Sequence, residues 1–294
     1  MRLLEYPCRR CTLCMGRLPP GKVQGRDGRL EAIPLVGGRT CRRGTREGPM
    51  IEAPSELLDA QVRRLVAEAW TFRRQVELDA ELRFARLAEH LQRLSAPEPL
   101  VSLALRAAED ERRHAGMCEM LARAYGQEAL PPPPEAVEEV APEGMAFRER
   151  VLYELVAACC ITETESTAVL TTLLVPEGAP RVRAVLRDIL RDEVAHSRLG
   201  WAWLSREHAE GAAGFLARHV PAMLEGSVSP RLFERGTPEE ESPTLLKHGV
   251  LPHTRKRDTF VKALRDVVFP GLERFGVDTG PGRQWLERRS AGRA

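Results

Sequence analysis

The sequence predicts an all-α protein: a four-helix bundle with one long crossover, an irregular N-terminal segment and an extra C-terminal helix. Three observations carry this reading. Ala, Leu, Arg and Glu dominate while aromatic residues make up only 5%, and side chains of the dominant kinds lose little freedom in a helix. Runs of β-branched residues with alternating polarity are nearly absent. The helical patterns fall into two pairs, separated by a Pro-rich stretch long enough to run the length of a bundle.

Residues 1–52 are rich in Gly, Pro and Arg, lack helical periodicity, and up to residue 48 carry 11 basic against 4 acidic residues. Ser55 after Pro54 is an N-cap candidate. From there a helix is expected to about Leu94, with a break near Trp70-Thr71. A second helix runs from about Pro99 to Tyr125 and is closed by Gly126. Residues 127–145 include Pro131 to Pro134 and cannot be helical throughout. The third helix is expected over Ala146–Leu174 and the fourth over Pro180–Glu207. A further helix near Ala209–Leu224, a Pro-punctuated stretch, an amphipathic helix near Lys256–Phe275 and a frayed tail complete the chain. The expected domains are 1–52, an irregular Cys/Arg/Gly-rich leader; 53–207, the bundle; and 208–294, a C-terminal helical extension and tail.

Composition excludes several classes. Hydrophobic residues are 43% and charged residues 29% of the 294, and 44 basic against 42 acidic residues leave a net charge of +2. Such balance gives no global field for a nucleic acid. No apolar run approaches the roughly 20 residues that span a bilayer, and MRLLEYPCRRCTLC has no sustained apolar core of a signal peptide. A cytoplasmic protein without nucleic-acid or membrane partners is expected.

Two Asp-Glu-x-x-His motifs carry the chemistry: Asp110-Glu111-Arg112-Arg113-His114 on the second helix and Asp192-Glu193-Val194-Ala195-His196 on the fourth. Glu at i and His at i+3 lie on one helix face, so each motif presents a carboxylate and an imidazole to one point. Oxygen and nitrogen donors suit iron or manganese, whereas structural zinc draws on Cys. A two-metal bundle site also needs one Glu from each remaining helix. On the third helix Glu163 follows the apolar run Val156–Ile161, while its competitor Glu165 points about 200° away. On the first helix Glu77, Glu81 and Glu89 are all candidates, and spacing does not choose. Asp110 and Asp192 sit one residue off the ligand face, where each can reach the histidine of the opposite motif and fix its ring.

This order of ligands resembles the ferritin-like di-iron carboxylate superfamily. The segment ELDAELRFARL, Glu77 to Leu87, is similar to the first helix of uncharacterised bacterial ferritin-like proteins, in which the metal-binding Glu stands seven positions before Phe-Ala-Arg. The resemblance therefore implies Glu77, and it supports Thr162-Glu163-Thr164 as the third-helix ligand segment. It spans roughly residues 65–210, with a weaker likeness in LRDVVFPGLERF. Relatives that oxygenate amines carry an extra His one turn before the second Glu-x-x-His; Ile189 stands there, so that ligand and arylamine N-oxygenation are not expected.

The implied centre has Glu77, Glu111, His114, Glu163, Glu193 and His196 as ligands to two Fe, with Mn or a mixed Fe/Mn pair as alternatives and O2 as co-substrate. The implied activity is a non-haem di-iron oxidase or oxygenase acting on a small molecule or a modified macromolecule, with an external electron donor; a homodimer is compatible with it. Two alternatives stand: a ferroxidase, iron-handling or peroxide-scavenging protein, and a non-catalytic metal-stabilised bundle.

The remaining Cys and aromatic residues divide simply. Cys118, Cys159 and Cys160 lie in apolar helical stretches and read as small buried hydrophobes. Cys8, Cys11, Cys14 and Cys41 could supply four thiolates to zinc or an iron–sulfur cluster, or belong to a reduced leader without metal. Rubrerythrin-like peroxidases pair a ferritin-like bundle with two Cys-x-x-Cys knuckles; Cys41 has no close second Cys, so this sequence departs from them. Tyr125, Tyr153, Trp70, Trp201 and Trp203 read as packing residues, and His90, His208, His219, His248 and His253 as surface or structural.

Overall fold

The computed structural model describes residues 58–291, together with the backbone of two short strands before them. Residues Met1–Met50 and Ile51–Ala294 form separate compact units. In the first unit β1 (Val23–Gln24) pairs antiparallel with β2 (Leu30–Glu31), Val23 opposite Glu31. The leader is thus not irregular throughout; the intervening sequence contains Asp27-Gly28, a pair suited to turns. Ser55 and the Cys8, Cys11, Cys14 and Cys41 group lie outside the described residues.

Helix α1 spans Ala60–Arg93, and the Asp59 carboxylate caps it, accepting from the Gln61 N–H at 2.9 Å. The expected break at Trp70-Thr71 does not occur. The Thr71 hydroxyl donates to the Ala67 carbonyl at 2.8 Å, and the buried Trp70 indole donates to the His248 carbonyl at 3.0 Å, so both polar groups are satisfied without interrupting the helix. Helix α2 (Glu98–Ala124) begins with Pro99 in its first turn and is closed at Gly126, whose φ of 101° favours glycine.

The Pro-rich crossover is held to α1 through its carbonyls: Arg74 donates to Pro131, and Arg86 donates to Val137 and Glu138. The third helix is not uniform. Helix α3 (Phe147–Leu155) continues into a π-helical segment, Val156–Thr162, and then α4 (Glu163–Leu173). Helix α5 runs over Pro180–Ala209.

Beyond α5 three expectations need correction. The helix expected at 209–224 is a 3₁₀ segment, Gly214–His219, followed by α6 (Val220–Ser227), because Gly211 and Gly214 weaken helix nucleation there. The helix expected at 256–275 is divided into α7 (His253–Ala263), a π segment (Leu264–Val268) and α8 (Phe269–Arg274); Pro270 lacks the N–H that would bond the Asp266 carbonyl. The tail is not frayed: Gly280–Ala291 forms α9, which buries Trp285 and Leu286 and is fastened by a 2.7 Å hydrogen bond from the Trp285 indole to Glu225. No described helix is long and apolar enough to cross a membrane.

The core is divided. One cluster gathers Phe84, Leu91, Val151, Leu155, Leu199 and Trp203 with residues of α6 to α9. The other gathers Trp70, Cys118, Leu121, Leu170, Leu186 and Ile189. On each helix a stretch of buried polar residues separates the two: Arg74 and Glu77 on α1, Glu111 and His114 on α2, Glu163 and Thr164 on α4, Glu193 and His196 on α5.

Candidate metal centre

These polar residues form a belt across the middle of the bundle. Glu77, Glu111, His114 and Glu193 bring ligand atoms within 4.8 Å of one another, and so do Glu111, Glu163, Glu193 and His196. Glu111 and Glu193 belong to both groups, which is the arrangement of two adjacent metal positions bridged by shared carboxylates. All six side chains are buried, His114 fully.

The histidines point one nitrogen at the carboxylates and the other outward. His114 Nδ1 lies 3.1 Å from Glu111 Oε2 and 3.8 Å from Glu77 Oε2, while its Nε2 lies 3.3 Å from Asp192 Oδ2. His196 Nδ1 lies 2.8 Å from Glu111 Oε1 and 3.2 Å from Glu193 Oε2, while its Nε2 lies 3.6 Å from Asp110 Oδ2. Each Asp thus faces the histidine of the opposite motif. In His114 an Nε2–H directed at Asp192 would leave the Nδ1 lone pair for the interior; the His196 Nε2–Asp110 separation is longer than a hydrogen bond.

Local sequence explains the placement. Each Glu-x-x-His pair shares one helix turn. The π segment before Glu163 holds an extra residue per turn and so re-aims the side chains of α4. It lies against α5 at Gly200, where a Cβ would stand 2.6 Å from Cys159 Cβ and 2.8 Å from the Leu155 carbonyl. Only glycine allows that approach.

Charge balance in the belt is maintained by protons. Burial, then the neighbouring Glu111, pushes the Glu77 carboxyl well above its usual range; burial and Glu193 do the same to Glu163. Burial would lower the histidines, but hydrogen bonds to carboxylates overcome it, lifting His114 to about 10 and raising His196 as well. Against its own burial, Glu111 is held low by hydrogen bonds from both histidines. Against partial burial, His196 and Arg113 hold Asp110 down at about 2.

The residues fit a pair of divalent cations. Four buried carboxylates with two imidazoles are a costly set unless positive charge is shared among them. Glu111 Oε1 and His196 Nδ1, 2.8 Å apart and both turned inward, are two donors that one cation would share. This is the donor set of a di-metal carboxylate site.

Competing residues lie elsewhere. Glu81 pairs with Arg112 at 2.6 Å, Glu165 lies outside both groups, and Ile189 is fully buried core. Cys118, Cys159 and Cys160 are free and buried. Of the remaining histidines, His248 is buried and contacts the Tyr125 hydroxyl at 2.8 Å through Nδ1.

Two supporting residues were not singled out from the sequence. Arg113 bridges Asp110 at 2.7 Å and Asp192 at 2.6 Å; its place inside the first motif was the available signal. The Ser166 hydroxyl donates to Glu193 Oε1 at 3.3 Å, and its position three residues after Glu163 places it on the ligand face.

The Rubrerythrin family model matches residues 74–200. Among solved structures, a protein from Synechococcus described as having aldehyde deformylating oxidase activity is similar at 16% identity and a TM-score of 0.45, over 79% of this chain and 100% of that one. No curated protein matches the chain. The matched region begins on α1, ends within α5 and contains all six clustered side chains, so the likeness to the Rubrerythrin family model, of the ferritin-like di-iron superfamily, falls on the candidate metal centre itself.

Proposed function

We propose that this protein is a non-haem di-iron oxidase or oxygenase that activates O2 to oxidise an organic substrate, drawing electrons from an external donor. The observation that carries the reading is the buried pair of overlapping four-residue groups sharing Glu111 and Glu193. Two iron ions held there, with manganese as the substitute, would supply the redox chemistry and the binding of O2.

The chain's own residues set the conditions for that chemistry. Glu77 and His114 serve one position, Glu163 and His196 the other, and Glu111 with Glu193 joins them. Asp192 and Asp110 orient the imidazoles, and Arg113 holds the two Asp carboxylates in register across α2 and α5. The hydrophobic clusters above and below exclude bulk water, which strengthens every electrostatic contact in the belt.

The Rubrerythrin match supports a second reading, in which the same centre handles iron or reduces peroxide without an organic substrate. Anaerobic iron loading followed by O2 exposure tests both. Close to two irons per chain are expected, with Glu111→Ala abolishing them, and O2 uptake that a substrate accelerates. Fewer than two metals, indifferent to Glu111→Ala, would sink the proposal. Two metals whose turnover responds only to peroxide or free iron would favour the second reading.

A further inference from the structure

A cavity of about 510 Å³ lies between α4, α5 and the α7–π segment. It shares the α4–α5 seam with the metal belt: Thr164 and Ser197 line it, and they are the chain neighbours of Glu163 and His196. Their hydroxyls approach to 3.4 Å across the seam. The cavity thus borders the chain neighbours of two clustered side chains, one on each helix of the seam.

The lining states the chemistry of an occupant. Ala168, Ala263 and Trp201 give apolar walls, and Val194 and Val267, at 39% and 48% exposed, leave apolar surface at the rim. The Trp201 indole occupies space left by Gly271, where a Cβ would come within 2.6 Å of it. Thr167 lines the cavity too, and its hydroxyl oxygen is buried without a hydrogen-bond partner. Of the charged residues, Lys262 is neutralised by Asp266, whereas Arg198 is exposed and makes no ion pair among the described residues.

We propose that this cavity binds a monoanionic amphiphile, its head group at Arg198 and its apolar body against Trp201, Ala168 and Ala263. The volume accommodates roughly 17 non-hydrogen atoms at about 30 Å³ each. The assignment of this molecule class as the organic substrate rests on the oxidase reading above; the binding itself does not.

Decanoate tests it, with decanol lacking the charge and butanoate lacking the body. Metal-free protein should bind decanoate at one site, reported by calorimetry and by a tryptophan fluorescence change that Trp201→Phe removes. Arg198→Glu should weaken decanoate roughly tenfold while sparing decanol, since it replaces attraction by repulsion at an exposed position. Ala168→Leu, or Gly271→Ala acting through Trp201, should weaken both, and butanoate should not bind. Absence of saturable decanoate binding, or binding that Arg198→Glu and Ala168→Leu leave unaltered, would overturn the proposal.

The link to the centre has its own readout. In cobalt(II)-loaded protein, decanoate should alter the visible absorption, at tenfold higher concentration in Arg198→Glu. An unchanged spectrum at saturating decanoate would overturn the assignment of the cavity to the centre. Protein that binds decanoate but never holds two metals would overturn the oxidase reading alone, and protein that loads two metals but binds no decanoate would overturn the cavity alone.

Discussion

At the scale of the residue, the six clustered side chains are not equivalent. Glu111 and Glu193 belong to both four-residue groups, whereas Glu77 and Glu163 each belong to one. Glu77→Ala and Glu163→Ala should therefore each leave about one metal per chain, and Glu193→Ala should leave none; metal analysis after desalting checks this. The protons that stand in for metal give a second expectation. His114, His196, Glu77 and Glu163 all have folded pKa values raised above their unfolded ones. Each contributes stability that is complete below its unfolded pKa and is lost as pH rises toward the folded value. For His114 that window runs from 6.5 to about 10. Glu111 and Asp110 act oppositely, and their share is lost only as pH falls below the ordinary carboxylate range. Metal-free protein should thus show a denaturation midpoint that falls between about pH 6.5 and pH 9, and metal loading should flatten the slope while releasing protons. A midpoint that rises over this interval would contradict the assignment.

At the scale of the element, the crossover and the third helix depend on one buried carboxylate. Glu154 is 2% exposed, accepts two hydrogen bonds from Arg86 at 3.0 and 3.1 Å, and accepts the Val140 N–H at 3.2 Å. Glu154→Ala removes the counter-charge of the largely buried Arg86 and the acceptor of the Val140 N–H, leaving the crossover held by its carbonyl bonds alone, and should cost about 2–4 kcal/mol in denaturant unfolding. Legibility in the sequence depended on whether a feature is local or built by distant contacts. The two motifs were readable because Glu-x-x-His is a local pattern with its Asp adjacent, and Glu163 stood out by the apolar run before it; Glu77 came only from the family resemblance, since spacing does not choose among Glu77, Glu81 and Glu89, and the structure brings all six side chains together. The start of α2 was readable from Pro99, its end from Gly126, and the start of α5 from Pro180. The π segment at Val156–Thr162 was not, because its sequence suits an α-helix equally well; what favours it is the close approach of Gly200, well along the chain on α5. Helix α9 was hidden for a similar reason: Gly280, Pro281 and Gly282 suggest a frayed tail, and only packing of Trp285 against the distant α6 region offsets the cost of its order.

At the scale of the whole molecule, the region matched by the Rubrerythrin family model ends at residue 200, and the chain beyond it is built into the same core. Leu224, Phe260, Phe269 and Trp285 share a hydrophobic cluster with Phe84, Leu155 and Trp203. The charged belt divides that cluster from the one around Trp70, so the bundle has two greasy ends and a polar waist. A waist of this kind is mechanically compliant. Without cations, few apolar contacts transmit order from one end of α2 or α5 to the other, and the ends are free to open separately. Hydrogen exchange in metal-free protein should be fastest at the middles of α2 and α5, with a shallow denaturation profile; metal should slow exchange there and restore one steep transition. Ions held in the waist would then also serve as the rivets that make two half-cores unfold as one.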